Sequence, residues 1–243
     1  MSEAFAWGAL AGSSLLVGGL VALRVPIGRR LLGLIMAFGS GVLISAVAYE
    51  LVQEGFETSA GAGGVALGLL AGSLVFFGGD ALIDRLGGSE RKRVGGAQEE
   101  GSPLAIVLGI VLDGIPESAV IGLTIVQGGE VSAAFLVAVF LSNLPESIAA
   151  TAGLAKIGWT RGRILGLWLL VTLVSGLAAL AGYAFLEDAS PDAVAFVLYF
   201  AAGAILTMLA DTMMPEAFEH GGKLAGLVTT IGFAVAFAIS ALE

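Results

Sequence analysis

Leu112-Asp113-Gly114-Ile115-Pro116-Glu117-Ser118 and, 29 residues later, Leu141-Ser142-Asn143-Leu144-Pro145-Glu146-Ser147 decide how this chain is read. Each heptapeptide sits near the middle of an apolar run long enough to cross a bilayer. A proline inside a helix leaves the carbonyl four residues earlier without its donor, here at Leu112 and Leu141. A carboxylate at that depth is costly and faces an interior path rather than lipid. Two adjacent helices with the same pair of costly features predict one shared polar site at the midplane.

Composition agrees. Of 243 residues, 57% are hydrophobic, and the mean hydropathy is +0.98. A soluble domain would be about 45–50% apolar, so the chain reads as an integral, all-α membrane protein. The 37 glycines suit helices that pack closely in lipid. With no cysteine, disulfides, thiolate metal sites and thiol catalysis are excluded. The single histidine is His220, and the net charge of −9 argues against a nucleic-acid partner. No basic residue precedes the first apolar run, so it is expected to be a retained helix rather than a signal peptide.

Eight runs are long enough to span, at roughly 20 residues per crossing. They fall at about 4–23, 31–53, 63–84, 104–127, 131–154, 163–186, 193–215 and 224–242. The expectation is one eight-helix transmembrane domain over 1–243, with a long polar loop at 85–103. All eleven basic residues lie in or beside the first, third, fifth and seventh loops, and so at one end of the bundle. Basic loops stay in the cytoplasm. This predicts a multi-pass protein of the cell membrane with both termini outside the cytoplasm.

A second repeat relates 38–57 to 200–219. Phe38/Phe200, Gly41/Gly203, Ala48/Ala210, Glu54/Glu216, Phe56/Phe218 and Glu57/Glu219 are identical. These stretches lie in the second and seventh helices, which run in opposite directions. Helices one to three are thus expected to mirror six to eight around the fourth and fifth, an inverted repeat of the kind secondary transporters use.

Residues four apart share a helix face. Asp113 and Glu117 therefore point one way on helix four, and Ser142 and Glu146 on helix five, with Asn143 one position round. Together they offer three carboxylates, an amide and a hydroxyl. Three buried negative charges must be protonated or neutralised by a cation, and no lysine or arginine lies at that depth. Protons or a bound metal must supply the positive charge. The all-oxygen set suits hard ions such as Mn(II) or Mg(II), and zinc also accepts carboxylates. Outside this centre, Glu50 and Glu54 at one end, and Asp211, Glu216 and His220 at the other, are candidate pathway residues. Asp80, Asp84, Glu57 and Glu219 read as interfacial, and Trp7, Trp159 and Trp168 as interface or packing residues.

The chain resembles the ZIP (Zrt-/Irt-like) family of divalent-metal transporters over nearly its whole length. The resemblance rests on Asp113-Gly114-Ile115-Pro116-Glu117 and Ser142-Asn143-Leu144-Pro145-Glu146, which stand where that family carries His-Asn-x-Pro-Glu-type metal motifs on helices four and five. It implies a divalent metal ion (zinc, iron or manganese) as substrate, the lipid bilayer as surroundings, and a homodimer. It also implies an elevator-like movement of helices one, four, five and six against two, three, seven and eight. The chain departs from the pattern at Asp113, Gly114 and Ser142, and at Ala179 in helix six, where family members often carry a bridging glutamate. The reading that follows is a non-enzymatic transporter moving a divalent cation toward the cytoplasm. Its alternatives are a ZIP-shaped sensor or structural protein that does not transport, and an intramembrane hydrolase using a carboxylate pair.

Overall fold

A computed structural model of the chain describes residues 1–59, 64–88, 103–128 and 131–242. Most of the expected 85–103 loop lies outside the described residues. Among those described there is no strand, and eight helices order the chain. They are α1 (Ser2–Ala22), α2 (Arg29–Thr58), α3 (Val65–Gly87), α4 (Pro103–Gly128), α5 (Ala133–Lys156), α6 (Arg161–Leu186), α7 (Pro191–Gly221) and α8 (Leu224–Ser240). The first seven are long and apolar enough to cross a membrane, α4 over Val107–Val126, and α8 is a shorter apolar helix.

Local chemistry sets the ends. The hydroxyls of Ser132, Thr160 and Ser190 accept hydrogen bonds from Phe135 N, Arg163 N and Ala193 N at the starts of α5, α6 and α7, satisfying donors that have no helical partner there. Gly158 (φ +85°) and Gly222 (φ +62°) turn the chain out after α5 and α7, a conformation that carries little cost only for glycine.

Helices α2 and α7 run further than the hydrophobic pattern implies. The expectation ended them at 53 and 215, where Glu54 and Glu216 open polar turns. Polarity ends an apolar run but does not break a helix, and both continue, α2 to Thr58 and α7 to Gly221. Each also passes through a π-helical segment, Val47–Gln53 in α2 and Leu209–Met213 in α7. The two segments begin 162 residues apart, the same offset that relates the two sequences.

That repeat is visible in the packing as well. In α2, a side chain at Gly41 would strike the Thr229 carbonyl of α8, and one at Gly232 of α8 would strike the Phe38 carbonyl of α2. In α7, Gly203 stands in the same relation to the Leu69 carbonyl of α3, and Gly72 of α3 to the Phe200 carbonyl of α7. Two of the identical pairs of the sequence repeat, Phe38/Phe200 and Gly41/Gly203, are thus the two halves of one helix-crossing contact used twice. Small residues of this kind let helix backbones approach where lipid provides no hydrophobic drive.

The other close contacts tie α1 and α6 to the central pair. Gly8 and Gly12 of α1 lie against Ala179 and Ser175 of α6, Gly122 and Gly182 seal α4 to α6, and Gly18 fits α1 onto Ser147 of α5. Trp168 of α6 is fully buried and donates from Nε1 to Thr151 Oγ1 at 2.8 Å, so it packs the interior rather than an interface. Exposed large apolar side chains, such as Leu67, Leu70, Leu74 and Phe77 on α3 and Leu169, Leu173 and Leu177 on α6, suit a lipid-facing rim.

Leucine at Gly41 or at Gly203 must separate two helices. Each substitution is expected to cost about 1–3 kcal/mol, read as a lower thermal midpoint of the detergent-solubilised protein. Gly78→Ala, where nothing lies within 4 Å, should leave the midpoint unchanged or raise it. Equal midpoints for all three variants would mean the glycine contacts do not hold the bundle.

Candidate functional site

The centre of the molecule is built on α4 and α5. Both helices run through their prolines, Pro116 and Pro145, without a break in the helix. The acidic residues around them are deeply buried: Asp113 is 2% exposed, Glu117 1% and Glu146 6%. Ser142 and Asn143 are buried with them. Asn143 Nδ2 donates to Glu117 Oε2 at 3.3 Å, which ties the α5 motif to the α4 motif directly. Ser142 Oγ gives its proton to the Val139 carbonyl of its own helix at 3.0 Å, so toward any cation it offers oxygen lone pairs alone.

Three neighbouring helices bear on this pair. Gly39 of α2 lies where a Cβ would come within 3.3 Å of the Leu141 carbonyl and 3.2 Å of the Ser142 Cα. The carbonyl that Pro145 leaves without its helical donor is thus held against a position kept open by glycine. Gly18 of α1 leaves equivalent room beside Ser147 and the Leu144 carbonyl. From α6, buried Ser175 faces Gly114, its Oγ 3.9 Å from where a Gly114 Cβ would stand. Sequence reasoning missed Ser175. Its signal was a small polar residue beside Gly176 in an otherwise apolar helix.

Ala179, one turn beyond Ser175, has no exposure. Side chains at Gly8 and Gly122 would strike its Cβ and its carbonyl oxygen respectively. Helices α1, α4 and α6 therefore close on this position, and there is no room for the glutamate that the resemblance would place there.

The candidate pathway residues lie apart from the centre, at the two ends. At the acidic end, Glu50 Oε1 accepts from Ser240 Oγ of α8 at 2.6 Å, and Tyr49 packs on Phe237 with ring centroids 4.9 Å apart. Glu54 precedes Gly55, which abuts the ring of Tyr199 on α7. At the other end, Asp211 is exposed in a groove between α3 and α7 on the outer side of the bundle. Near its end, α7 holds buried Glu216, whose Oε2 lies 3.2 Å from His220 Nε2.

Chemically, the centre offers buried oxygen donors on two helices, joined by the Asn143–Glu117 hydrogen bond and enclosed by apolar helices. It can hold protons or a hard to borderline cation, and it contains no nitrogen base or thiol. Ala179→Glu is expected to lower the thermal midpoint sharply, as overpacking does, whereas Ala179→Gly keeps the fold. An Ala179→Glu protein as stable as the parent would show that α1, α4 and α6 part readily at this position.

No family model matches the chain. A protein of Arabidopsis thaliana described as a "Putative zinc transporter" is 27% identical over 215 residues, which cover 86% of this chain and 34% of the plant protein. The chain thus spans about a third of the length of that relative. In its eight helices and in the Pro-Glu steps on the fourth and fifth of them, the chain keeps its resemblance to the ZIP family of divalent-metal transporters.

Proposed function

We propose that the chain is a secondary transporter of divalent metal cations, with Asp113, Glu117 and Glu146 as the ligands that carry the ion and Asn143 and Ser142 supporting them. The observation that carries this reading is the burial of three carboxylates on two adjacent spans that the Asn143–Glu117 hydrogen bond joins. Carboxylate and amide oxygens are the donors that divalent cations take. A cation that arrives from water and leaves again makes the site a carrier. The name of the plant relative points to the same cargo class. With oxygen donors only, manganese and iron are accommodated alongside zinc.

The positive-inside rule orients the protein with its basic loops in the cytoplasm, and the proposed flux runs toward them, as the resemblance implies. The glycine contacts favour two bodies, α1 with α4, α5 and α6, and α2 with α3, α7 and α8, because the tightest approaches lie within each set. Sliding of the first set against the second would expose the centre to each side in turn. A second reading, a metal-binding protein that does not transport, draws on the closed packing at Ala179.

Two experiments decide. In proteoliposomes containing the purified full chain, manganese or zinc uptake should fall at least tenfold in Glu117→Gln and in Glu146→Gln. Uptake unchanged in both would reject the site, and metal binding without uptake in the parent would favour the second reading. Separately, Leu32→Cys with Ala149→Cys joins α2 to α5 across a cleft that both residues line, in a chain with no cysteine of its own. Oxidation should stop uptake and reduction restore it. Full uptake with the bridge formed would exclude relative movement of the two bodies.

A further inference from the structure

The last turn of α7 carries chemistry that the buried centre lacks. Glu216, Glu219 and His220 form a group in which one ligand atom from each residue lies within 4.8 Å of the other two. Glu216 is 9% exposed, and its Oε2 lies 3.2 Å from His220 Nε2. The backbone beneath them is fixed. Gly33, near the start of α2, sits where a Cβ would come within 2.7 Å of Gly221 N and 2.8 Å of His220 Cβ. The imidazole therefore stands on a helix end clamped between two elements.

The sequence repeat sharpens the point. The turn related to this one, at the opposite end of the bundle, reads Glu54-Gly55-Phe56-Glu57-Thr58 against Glu216-Ala217-Phe218-Glu219-His220. The two glutamates are kept, and the third ligand position changes from threonine to histidine. In the first turn Gln53 Nε2 donates to Glu57 Oε1 at 2.9 Å. At the corresponding place before Glu219 stands Pro215, which has no side-chain donor. One half of the repeat thus caps its second glutamate, and the other sets an imidazole beside it.

We propose that Glu216, Glu219 and His220 bind a divalent transition metal, separately from the carboxylate centre on α4 and α5. One imidazole nitrogen and two carboxylate oxygens suit zinc, cobalt or copper(II) better than magnesium or manganese. Three protein ligands leave a fourth tetrahedral position open, the pattern of a site that exchanges its ion or a bound ligand. The protein then offers two kinds of coordination: oxygen alone in the middle, and mixed nitrogen and oxygen at the end of α7.

His220 is the chain's single histidine, and there is no cysteine, so imidazole coordination of any ion has one source. The test uses purified full-length protein without a histidine tag, loaded with one equivalent of copper(II) and examined by pulsed electron paramagnetic resonance. The expected result is an imidazole-nitrogen modulation in the parent and its loss in His220→Ala. It should persist in the double variant Glu117→Gln, Glu146→Gln, so failure of the proposed transport site would leave this one standing. Zinc titration of that double variant should show a site weakened at least tenfold by adding Glu219→Gln or His220→Ala, with circular dichroism unchanged. Absence of the imidazole signal from the parent, or zinc affinity in the double variant that ignores both substitutions, would overturn the proposal.

Discussion

The burial of three acidic side chains in the middle of an apolar helix bundle is the constraint on which the rest of this molecule depends. Asp113, Glu117 and Glu146 lie inside a shell of apolar helices. A buried carboxylate is costly unless it is hydrogen-bonded or paired, so groups on neighbouring helices must meet it. Asn143 of α5 does this for Glu117 of α4, its amide donating from one helix to the other. That bond fixes how the two central helices stand against each other, and the surrounding helices must fit the arrangement.

Holding such a centre requires a precise shell, and the shell is made largely by the absence of side chains. Gly18 and Gly39 bring α1 and α2 against the backbone of α5 at Ser147, Leu141 and Ser142. Gly122 and Gly182 do the same between α4 and α6. Further out, the Gly41–Thr229 contact and its counterpart Gly203–Leu69 join α2 to α8 and α7 to α3. The glycine content that composition marked as ordinary for a membrane protein is thus placed at specific crossings. Each crossing sets a backbone-to-backbone distance on which the position of the acids depends.

Much of this was legible in the sequence. Pro116-Glu117 and Pro145-Glu146 marked the central helices, and the eight apolar runs matched the eight helices to within a few residues at most ends. The misses have physical causes. The ends of α2 and α7 were drawn at Glu54 and Glu216 because hydropathy registers the membrane boundary and not the end of backbone hydrogen bonding. The π segments at Val47–Gln53 and Leu209–Met213 were invisible because no proline or glycine marks them. Ala179 could be read as a missing ligand, but the reason it is small, its enclosure by Gly8 and Gly122, belongs to two other helices. Asp211, a candidate pathway residue in the sequence, is exposed in a groove between α3 and α7.

An inverted repeat starts as two equivalent halves, so the places where its halves differ are where its two ends become distinct. The crossing glycines do not differ, because both halves must solve the same packing problem at the same distance. The π segments begin at equivalent positions, one on each helix, ahead of the polar turns of α2 and α7. What differs is the chemistry displayed on those turns. On the α2 turn Gln53 holds Glu57 by a hydrogen bond, while on the α7 turn Pro215 stands in its place and His220 sits beside a buried glutamate. The symmetry of the scaffold and the asymmetry of its ends are therefore separable properties. The first is set by backbone contacts that tolerate no side chain. The second is set by exposed or half-buried positions where a substitution costs little stability, and there the two faces of the bundle have become chemically distinct.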